Sequence, residues 1–320
     1  MNLCRICKNE SVKKVGEYKP YSEYKYDVYD CPNCECRFVW RGKDIHELLH
    51  STPQSPYSFQ AVLASEVQNY WQRKETYKLR KFLSKTPKFK FVIDKILENA
   101  PNNKSILEVG CSKGSLSAYF LLSGYNVIGV DISPTAIKSA IANFGNHFQV
   151  VKDEDFSHFG KFDVIYHVGT IGCVNNPIKF THNLLDILKP KGKLLFNAPN
   201  ILAVLETNAI WTTTPPPDLI TIFPESFWYK FFLDTADVEI TYEPYDHKSN
   251  LTKHLRKLLG MPYLDPKVVS IYDVNPIPAS SRPFVKKVGS LAFRVAPYVT
   301  RYLIPRYASD FGMFVCMTKR

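Results

Sequence analysis

Long apolar runs and glycine are scarce in this chain of 320 residues, and each scarcity excludes a class of protein. No run of 18 apolar residues occurs, so we expect no helix that could span a bilayer. Glycine contributes only 14 residues and follows no repeat, which excludes collagen-like and low-complexity chains. The first residues, Met-Asn-Leu-Cys-Arg-Ile-Cys, lack the apolar run of a signal peptide. We therefore expect a globular, cytoplasmic protein.

Acidic residues are the minority charge, with 30 Asp and Glu against 41 Lys and Arg. The excess is concentrated in two segments. Residues 71–90 hold eight basic residues against Glu75 alone, and residues 251–320 hold twelve against three aspartates. Such segregation indicates either a polyanionic neighbour, such as nucleic acid, an anionic membrane or a phosphate-bearing substrate, or a solvated face that keeps the protein soluble.

The segment 284–307 has basic residues at a regular interval. Lys287, Arg294 and Arg301 recur every seven residues, so on a helix they form one stripe beside an apolar face. One interpretation is a peripheral contact with an anionic membrane. The other is a helix that covers the sheet, which we favour because the chain must return to the sheet directly afterwards.

Five of the eight cysteines lie in the first 36 residues, as Cys4-x2-Cys7 and Cys31-x2-Cys34 with Cys36 just beyond. Two such knuckles supply the four thiolates of a tetrahedral zinc site. The x2 spacing favours Cys34 over Cys36 as the fourth ligand. Four thiolates leave no open coordination position, so the predicted Zn²⁺ is structural. The other three cysteines are interpreted as small buried hydrophobic residues: Cys111, Cys173 and Cys316.

Strands alternate with helices from residue 104 onwards, which predicts an α/β fold: a doubly wound, mostly parallel sheet of seven strands, Rossmann-like, with helices on both faces. The last two strands are expected at residues 238–242 and 312–318. The predicted organisation is a zinc ribbon at 1–40, a helical connector at 41–100, and a domain at 101–320 with insertions at about 198–230 and 245–309.

A glycine-rich turn and an acidic residue mark a nucleoside site. The first strand ends at the turn from Gly110 to Gly114, and the second ends at Asp131, 21 residues after Gly110. Such a turn lets the backbone approach a ligand, and an acidic residue at this distance accepts the hydroxyls of a ribose. On this spacing alone a nucleoside cofactor is predicted, and NAD remains possible.

Four strings together resemble a known family: Leu107-Glu-Val-Gly-Cys-Ser-Lys-Gly, Gly129-Val-Asp131, Phe162-Asp-Val-Ile and Leu188-Lys-Pro-Lys-Gly-Lys-Leu-Leu. They are similar to the class I S-adenosylmethionine-dependent methyltransferases, most strongly over residues 100–200. The resemblance implies S-adenosyl-L-methionine as cofactor, with the ribose on Asp131 and the adenine flanked by Asp153 and Glu154. It implies that Gly110, Ser112 and Gly114 line the methionine moiety and that Glu108, the acidic residue before the turn, also binds the cofactor.

The methyl acceptor is less well marked. Small-molecule members of the family carry a His-x-x-Glu-His stretch after the fourth strand, of which this chain keeps only His167. That histidine is a candidate base or polar wall, or a buried structural residue. A proline-rich segment with aromatic residues, 211–228, is interpreted either as one wall of the acceptor cleft or as a stiffened surface loop. Its aromatic faces, with Asn197, Asn200 and Glu206, would suit a sugar.

Three functions are consistent with these features. A zinc ribbon joined to this core resembles methyltransferases of deoxysugar and surface-glycan pathways, which implies O-methylation of a small-molecule or glycan acceptor. It also resembles certain ribosomal RNA methyltransferases, although nucleic acid is the less favoured partner. The third hypothesis is a zinc-ribbon interaction protein without catalysis.

Overall fold

A computed structural model describes most of the chain outside its basic C-terminal segment. The described residues are 3–21, 24–40, 47, 51, 58–99, 104–152, 155–206, 209–212, 214, 216–242 and 312–320. The whole of the predicted insertion at 245–309, with the basic segment 284–307 inside it, lies outside them.

The helices and strands alternate as expected from residue 104 onwards. The strands are β1 (Lys13–Tyr21), β2 (Tyr24–Asp30), β3 (Arg37–Val39), β4 (Ser105–Val109), β5 (Asn126–Asp131), β6 (Phe148–Val150), β7 (Phe162–His167), β8 (Leu188–Pro199), β9 (Thr221–Ile222), β10 (Ala236–Tyr242) and β11 (Gly312–Lys319). The helices are α1 (Ser58–Gln72), α2 (Thr76–Leu83), α3 (Pro87–Asn99), α4 (Ser115–Leu122), α5 (Pro134–Phe144), α6 (Pro177–Asp186), α7 (Leu202–Glu206) and α8 (Glu225–Phe232), with a 3-10 turn at Ser157–Phe159.

The larger sheet has seven strands in the order β10-β11-β8-β7-β4-β5-β6. The five strands from β8 to β6 run parallel, whereas β10 and β11 are antiparallel additions at the β8 edge. The predicted Rossmann-like sheet, mostly parallel and with seven strands, is therefore confirmed. Since β4 lies between β5 and β7, the strand order reverses there, and the carboxyl ends of these strands form the crevice where such sheets bind ligands.

The two faces of this sheet are covered by different parts of the chain. On one face the apolar sides of α1 to α5 share a core that includes Leu79, Val92 and Phe120. On the other face α6 and α8 pack in a core that also contains the cysteines and Phe38 of the N-terminal segment. Within residues 58–99 the connector holds three helices, and α1 ends before Lys74, which adopts a left-handed φ of 56°.

The smaller sheet contains strands from both the predicted ribbon and the predicted larger domain. Its strand order is β1-β2-β3-β9, and Arg37 and Phe38 of β3 pair with Ile222 and Thr221 of β9. Because β9 lies far along the chain, between β8 and α8, the N-terminal sheet is completed by residues from the larger domain.

Among the helices that the structure describes, none is both long and apolar enough to cross a bilayer.

Candidate functional site

The turn after β4 has the backbone geometry of a cradle. Gly110, Ser112 and Gly114 all have left-handed φ values, of 74°, 49° and 77°. A side chain at Gly110 would collide with the hydroxyl of Thr170, so only glycine lets the turn pass at that point. Ser112 tolerates the left-handed region at a cost of about 1–2 kcal/mol.

The carboxylate of Asp131 is fixed against this turn. Its Oδ2 accepts a hydrogen bond from the backbone N–H of Ser112 at 2.8 Å, and its Oδ1 accepts one from Ser133 at 2.9 Å. The hydroxyl of Ser112 is buried and has no partner among the described residues. A buried orphan hydroxyl beside a fixed carboxylate indicates a ligand that brings its own polar groups.

Glu108 lies under the cradle rather than in it. It is 4% exposed, and its Oε2 accepts hydrogen bonds from the Ser117 N–H and the Tyr166 hydroxyl, each at 3.0 Å, and from the Ser117 hydroxyl. Burial raises the pKa of Glu108 from 4.5 to about 7, although these hydrogen bonds oppose the shift. Its side chain does not line the cleft, which differs from the direct contact that the resemblance implied.

A cleft of about 1680 Å³ opens from the cradle along the carboxyl ends of the strands. Small-molecule sites typically measure about 300–1,000 Å³, so this one has room for two ligands. By chain segment the lining divides into two halves, which we name after the ligands that the resemblance implies. One half, the cofactor half, follows the ends of β4, β5 and β6 and is lined by Gly110, Ser112, Asp131, Val151, Lys152 and Asp155. The other, the acceptor half, is lined by Thr170, Asn175, Asn197, Thr212, Asp218 and Leu219.

His167 lies outside this cleft. Its ring is fully buried, stacked on Phe196 with centroids 4.6 Å apart and edge-on to Phe180 at 5.5 Å. Neither ring nitrogen has a hydrogen-bond partner among the described residues, and burial lowers the pKa of His167 to about 3. This placement favours the structural interpretation over that of a base or polar wall.

The aromatic residues expected to face the acceptor are in the core instead. Trp211 is 2% exposed, and Phe223 and Trp228 are completely buried. Asn200 is also buried, and its side-chain oxygen accepts from the Leu202 N–H at 3.0 Å. These rings fill two cores instead: Trp211 packs with Tyr18 of the smaller sheet, and Trp228 packs with Phe196 of β8 and with Phe223.

Of the remaining predicted residues, Asn197 lines the cleft, and its Oδ1 accepts from the Gly169 N–H at 2.8 Å. Asp153 and Glu154 lie outside the described residues, between Lys152 and Asp155, which line the cofactor half. The side chain of Glu206 also lies outside them.

Several cleft residues were missed by sequence reasoning. Cys173 is only partly buried, contrary to the interpretation of a core cysteine, and its Sγ lies 3.8 Å from Oδ1 of Asp218. Lys88, at the start of α3, reaches the cleft near Gly169. The position of Cys173 just after a parallel strand was a usable signal, whereas nothing in the connector sequence marks Lys88.

The four N-terminal cysteines form a compact cluster. Their sulfurs all lie within 4.8 Å of one another, with Cys4 and Cys34 at 3.7 Å and Cys7 and Cys31 at 3.6 Å. Four thiolates about 2.3 Å from one zinc ion would lie about 3.8 Å apart, so the set fits Zn²⁺. Cys36 is buried beside the cluster and is not one of the four.

The two knuckles have the same backbone shape. The N–H of Lys8 donates to the Cys4 carbonyl at 2.9 Å, and the N–H of Glu35 donates to the Cys31 carbonyl at 2.8 Å. Both Lys8 and Glu35 have left-handed φ values, of 63° and 56°. Each turn therefore presents its two sulfurs to the same point, as a closed structural site requires.

The basic run at 71–90 is partly neutralised. Lys78 pairs with Glu75 at 2.6 Å, and Arg80 and Lys90 both pair with Asp94. These contacts indicate a mixed, solvated face more than a stripe that follows a polyanion.

Comparison with known proteins gives one family match and several shorter similarities. The family described as "Methyltransferase domain" matches residues 71–241, slightly more than half of the chain. A ribosomal protein L11 methyltransferase of Janthinobacterium sp. (strain Marseille) is 35% identical over 119 residues, which are 35% of this chain and 37% of that protein. A ubiquinone biosynthesis O-methyltransferase of Rickettsia bellii (strain OSU 85-389) is 27% identical over 117 residues, 34% of this chain and 49% of that protein.

The similarity thus spans between a third and a half of the length of these curated relatives. Among solved structures, the plantazolicin methyltransferase BpumL in complex with SAH is 15% identical, with a TM-score of 0.41 over 86% of this chain and 95% of that one. The YcgJ protein from Bacillus subtilis is 15% identical, with a TM-score of 0.44 over 72% of this chain and 97% of that one.

Proposed function

Because the chain belongs to the methyltransferase domain family, we propose that it transfers a methyl group from S-adenosylmethionine to a hydroxyl of a sugar or surface-glycan intermediate. The observation that carries this proposal is the single cleft with two unlike halves. One half is a glycine cradle beside a fixed carboxylate, and the other is lined by hydroxyl, amide and carboxylate groups.

In the cofactor half, Asp131 would bind the two ribose hydroxyls with the lone pairs that Ser112 and Ser133 leave open. Gly110, Ser112 and Gly114 would surround the methionine moiety. The Nζ of Lys88 lies 4.0 Å from the position that a Cβ at Gly169 would take. This ammonium group would bind the methionine carboxylate. Glu108 would keep the cradle in shape from below.

Adenine would lie against the segment that directly follows β6, which begins at Val151. Asp153 and Glu154 stay proposed as adenine neighbours, and Lys152 and Asp155 join them because both line this end of the cleft.

In the acceptor half, Asn197 and Thr170 would orient a hydroxyl and Asp218 would take its proton. The bound cofactor supplies an electrophilic methyl group on sulfur. The chain has only to hold the attacking oxygen in line and about 3–3.5 Å away. When bound, the cofactor would give up this methyl group and leave as a neutral thioether, while the hydroxyl proton would move to the Asp218 carboxylate. With the aromatic residues buried, hydrogen bonding is what supports a polyhydroxylated acceptor.

The cysteine cluster would hold one structural Zn²⁺ through Cys4, Cys7, Cys31 and Cys34. The division into a ribbon at 1–40, a connector at 41–100 and a transferase domain at 101–320 stays a proposal. So does a membrane contact through 284–307.

The test is calorimetric titration of the full chain with S-adenosylmethionine, followed by a panel of nucleotide-linked deoxysugars with product detected by mass spectrometry. We expect binding that D131A abolishes and that D237N, an exposed carboxylate outside the cleft, leaves intact. No binding at millimolar cofactor would refute both enzyme hypotheses. Methylation of RNA, with binding that weakens steeply between 50 and 200 mM salt, would favour the nucleic-acid alternative over the sugar.

A further inference from the structure

The side chain of Arg5 connects the cysteine cluster to the wall of the acceptor half. Arg5 lies between Cys4 and Cys7 in the first knuckle and is 8% exposed. Its Nη1 donates to the Asn175 carbonyl at 3.0 Å, and its Nη2 donates to the Ile220 carbonyl at 3.2 Å and to the Thr221 hydroxyl. One guanidinium therefore holds two segments that are about 45 residues apart in sequence.

Both segments form the cleft wall. Asn175 lines the cleft directly, and Leu219, next to Ile220, lines it from the other segment. The two segments also bind each other, because the Gly172 carbonyl accepts from the Ile220 N–H at 2.8 Å and from the Thr221 N–H at 3.1 Å. A Cβ at Gly172 would collide with Leu219, so the segments pack as closely as glycine allows.

Strand pairing also connects the N-terminal segment to this wall. Thr221 and Ile222 form β9, which pairs with Arg37 and Phe38 of β3. The wall of the acceptor half is thus paired with the N-terminal sheet through β9. Arg5 adds a hydrogen bond from the N-terminal segment to the loop after β7.

We infer that Arg5 is a positioning residue for the acceptor half, through which the cysteine cluster sets the spacing between the segments 172–175 and 219–221. The physical reason is that buried hydrogen bonds from a charged donor are among the stronger ones in a protein. The knuckle fixes the backbone on both sides of Arg5, so its guanidinium reaches the two segments from a rigid base. The assignment of this wall to the acceptor rests on the proposed function, whereas the link itself does not.

The test is hydrogen–deuterium exchange on the full chain without ligand, comparing the unsubstituted protein with R5K and R37K. Lysine keeps the charge at position 5 but cannot bridge two segments, because it lacks the planar fork. We expect exchange in 219–221 and 172–176 to rise about tenfold in R5K, as loss of one strong hydrogen bond would give.

R37K is the matched control. Arg37 is equally buried, at 7% exposed, and lies on β3 of the N-terminal sheet, but it pairs with Asp30 and donates to the Ala209 carbonyl. We expect R37K to leave exchange in 172–176 unchanged. An R5K profile identical to that of the unsubstituted protein would overturn the inference, as would an equal rise in both variants, since that would mean general loosening of the ribbon.

Two further readouts separate positioning from folding and from the proposed function. R5K should keep the metal content of the unsubstituted protein and its affinity for S-adenosylmethionine within about twofold, while the KM for any accepted sugar rises. Loss of metal in R5K would overturn the inference. If no cofactor binds any of the proteins, the proposed function fails, but the exchange result still decides the role of Arg5.

Discussion

Replacing Glu108 by glutamine tests whether the buried carboxyl group under the cradle holds a proton at neutral pH. Its Oε2 accepts from Ser117 and Tyr166, and burial raises its pKa from 4.5 to about 7. Between these two pH values the folded protein keeps a proton that the unfolded chain releases. Stability from this group is therefore full below pH 4.5 and is lost as pH rises to 7.

The magnitude follows from the size of the shift. The rise in pKa from 4.5 to about 7, at about 1.4 kcal/mol per pH unit, is about 3.5 kcal/mol of unfolding free energy, of which about 3 kcal/mol falls between pH 4.5 and 7.5. Glutamine can accept the same hydrogen bonds and does not titrate, so E108Q lacks this loss. The variant should gain about 3 kcal/mol relative to the unsubstituted protein between pH 4.5 and 7.5, whatever its stability at either end.

The assay is urea unfolding followed by intrinsic fluorescence at pH 4.5, 6 and 7.5, with E98Q as a control that changes the same charge on an exposed side chain. The plot of unfolding free energy against pH for E98Q should run parallel to that of the unsubstituted protein. A parallel E108Q curve would refute the reasoning, because it would mean that burial does not move this titration.

Three other predictions test the cleft and the cluster. G110A should bind S-adenosylmethionine at least tenfold more weakly by calorimetry, since it forces a side chain into Thr170 at a left-handed φ; unchanged affinity would contradict the cradle. D218N should lower kcat by about 10²–10⁴ without changing cofactor affinity, and full turnover would remove Asp218 as the base. C7S should lose bound zinc and lower the melting temperature, whereas C36S should keep one zinc per chain by elemental analysis; the reverse pattern would exchange their roles.

The positions of strand ends could be predicted from sequence, but the directions of side chains at those ends could not. Gly110 and Ser112 lie beyond the last ladder position of β4 and Asp131 lies at that of β5, and all three line the cleft. Glu108 lies one residue before the end of β4, whereas His167 is the last residue of β7, as Asp131 is of β5. His167 still pairs with Phe196 in the ladder, and Glu108 pairs with Gly129. Within a strand successive side chains alternate between faces, so these two enter the cores and the residues after them form the site.

The rest of the cleft was harder to predict because its residues come from segments with no common motif. Lys88 comes from a connector helix, Cys173 from the loop after β7, and Asp218 from the segment before β9. Their proximity depends on Leu219 packing at Gly172 and on β9 pairing with β3. Long-range contacts of this kind leave no periodic signal in the chain. The burial of Trp211 and Trp228 could not be predicted for the same reason. The sequence of a proline-rich aromatic segment does not distinguish a segment that covers a core from one that lines a cleft.

The pairing of β3 with β9 leads to a last prediction, that the chain from residue 41 onwards is not an independent folding unit. Removing residues 1–40 would leave Thr221 and Ile222 without a partner strand and would expose the core that Phe38 shares with Phe223 and Phe227. Contacts from α8 would also be lost, since Lys230 donates to the Asn33 carbonyl at 2.6 Å. An unpaired edge beside exposed aromatic residues favours aggregation. We expect the fragment 41–320 to be insoluble or to melt without cooperativity by differential scanning calorimetry, and co-expression with a separate 1–40 peptide to restore some soluble protein. A fragment that melts as sharply as the full chain and binds S-adenosylmethionine equally well would contradict this prediction. It would show that the domain folds without residues 1–40 and that the wall of the acceptor half does not depend on them.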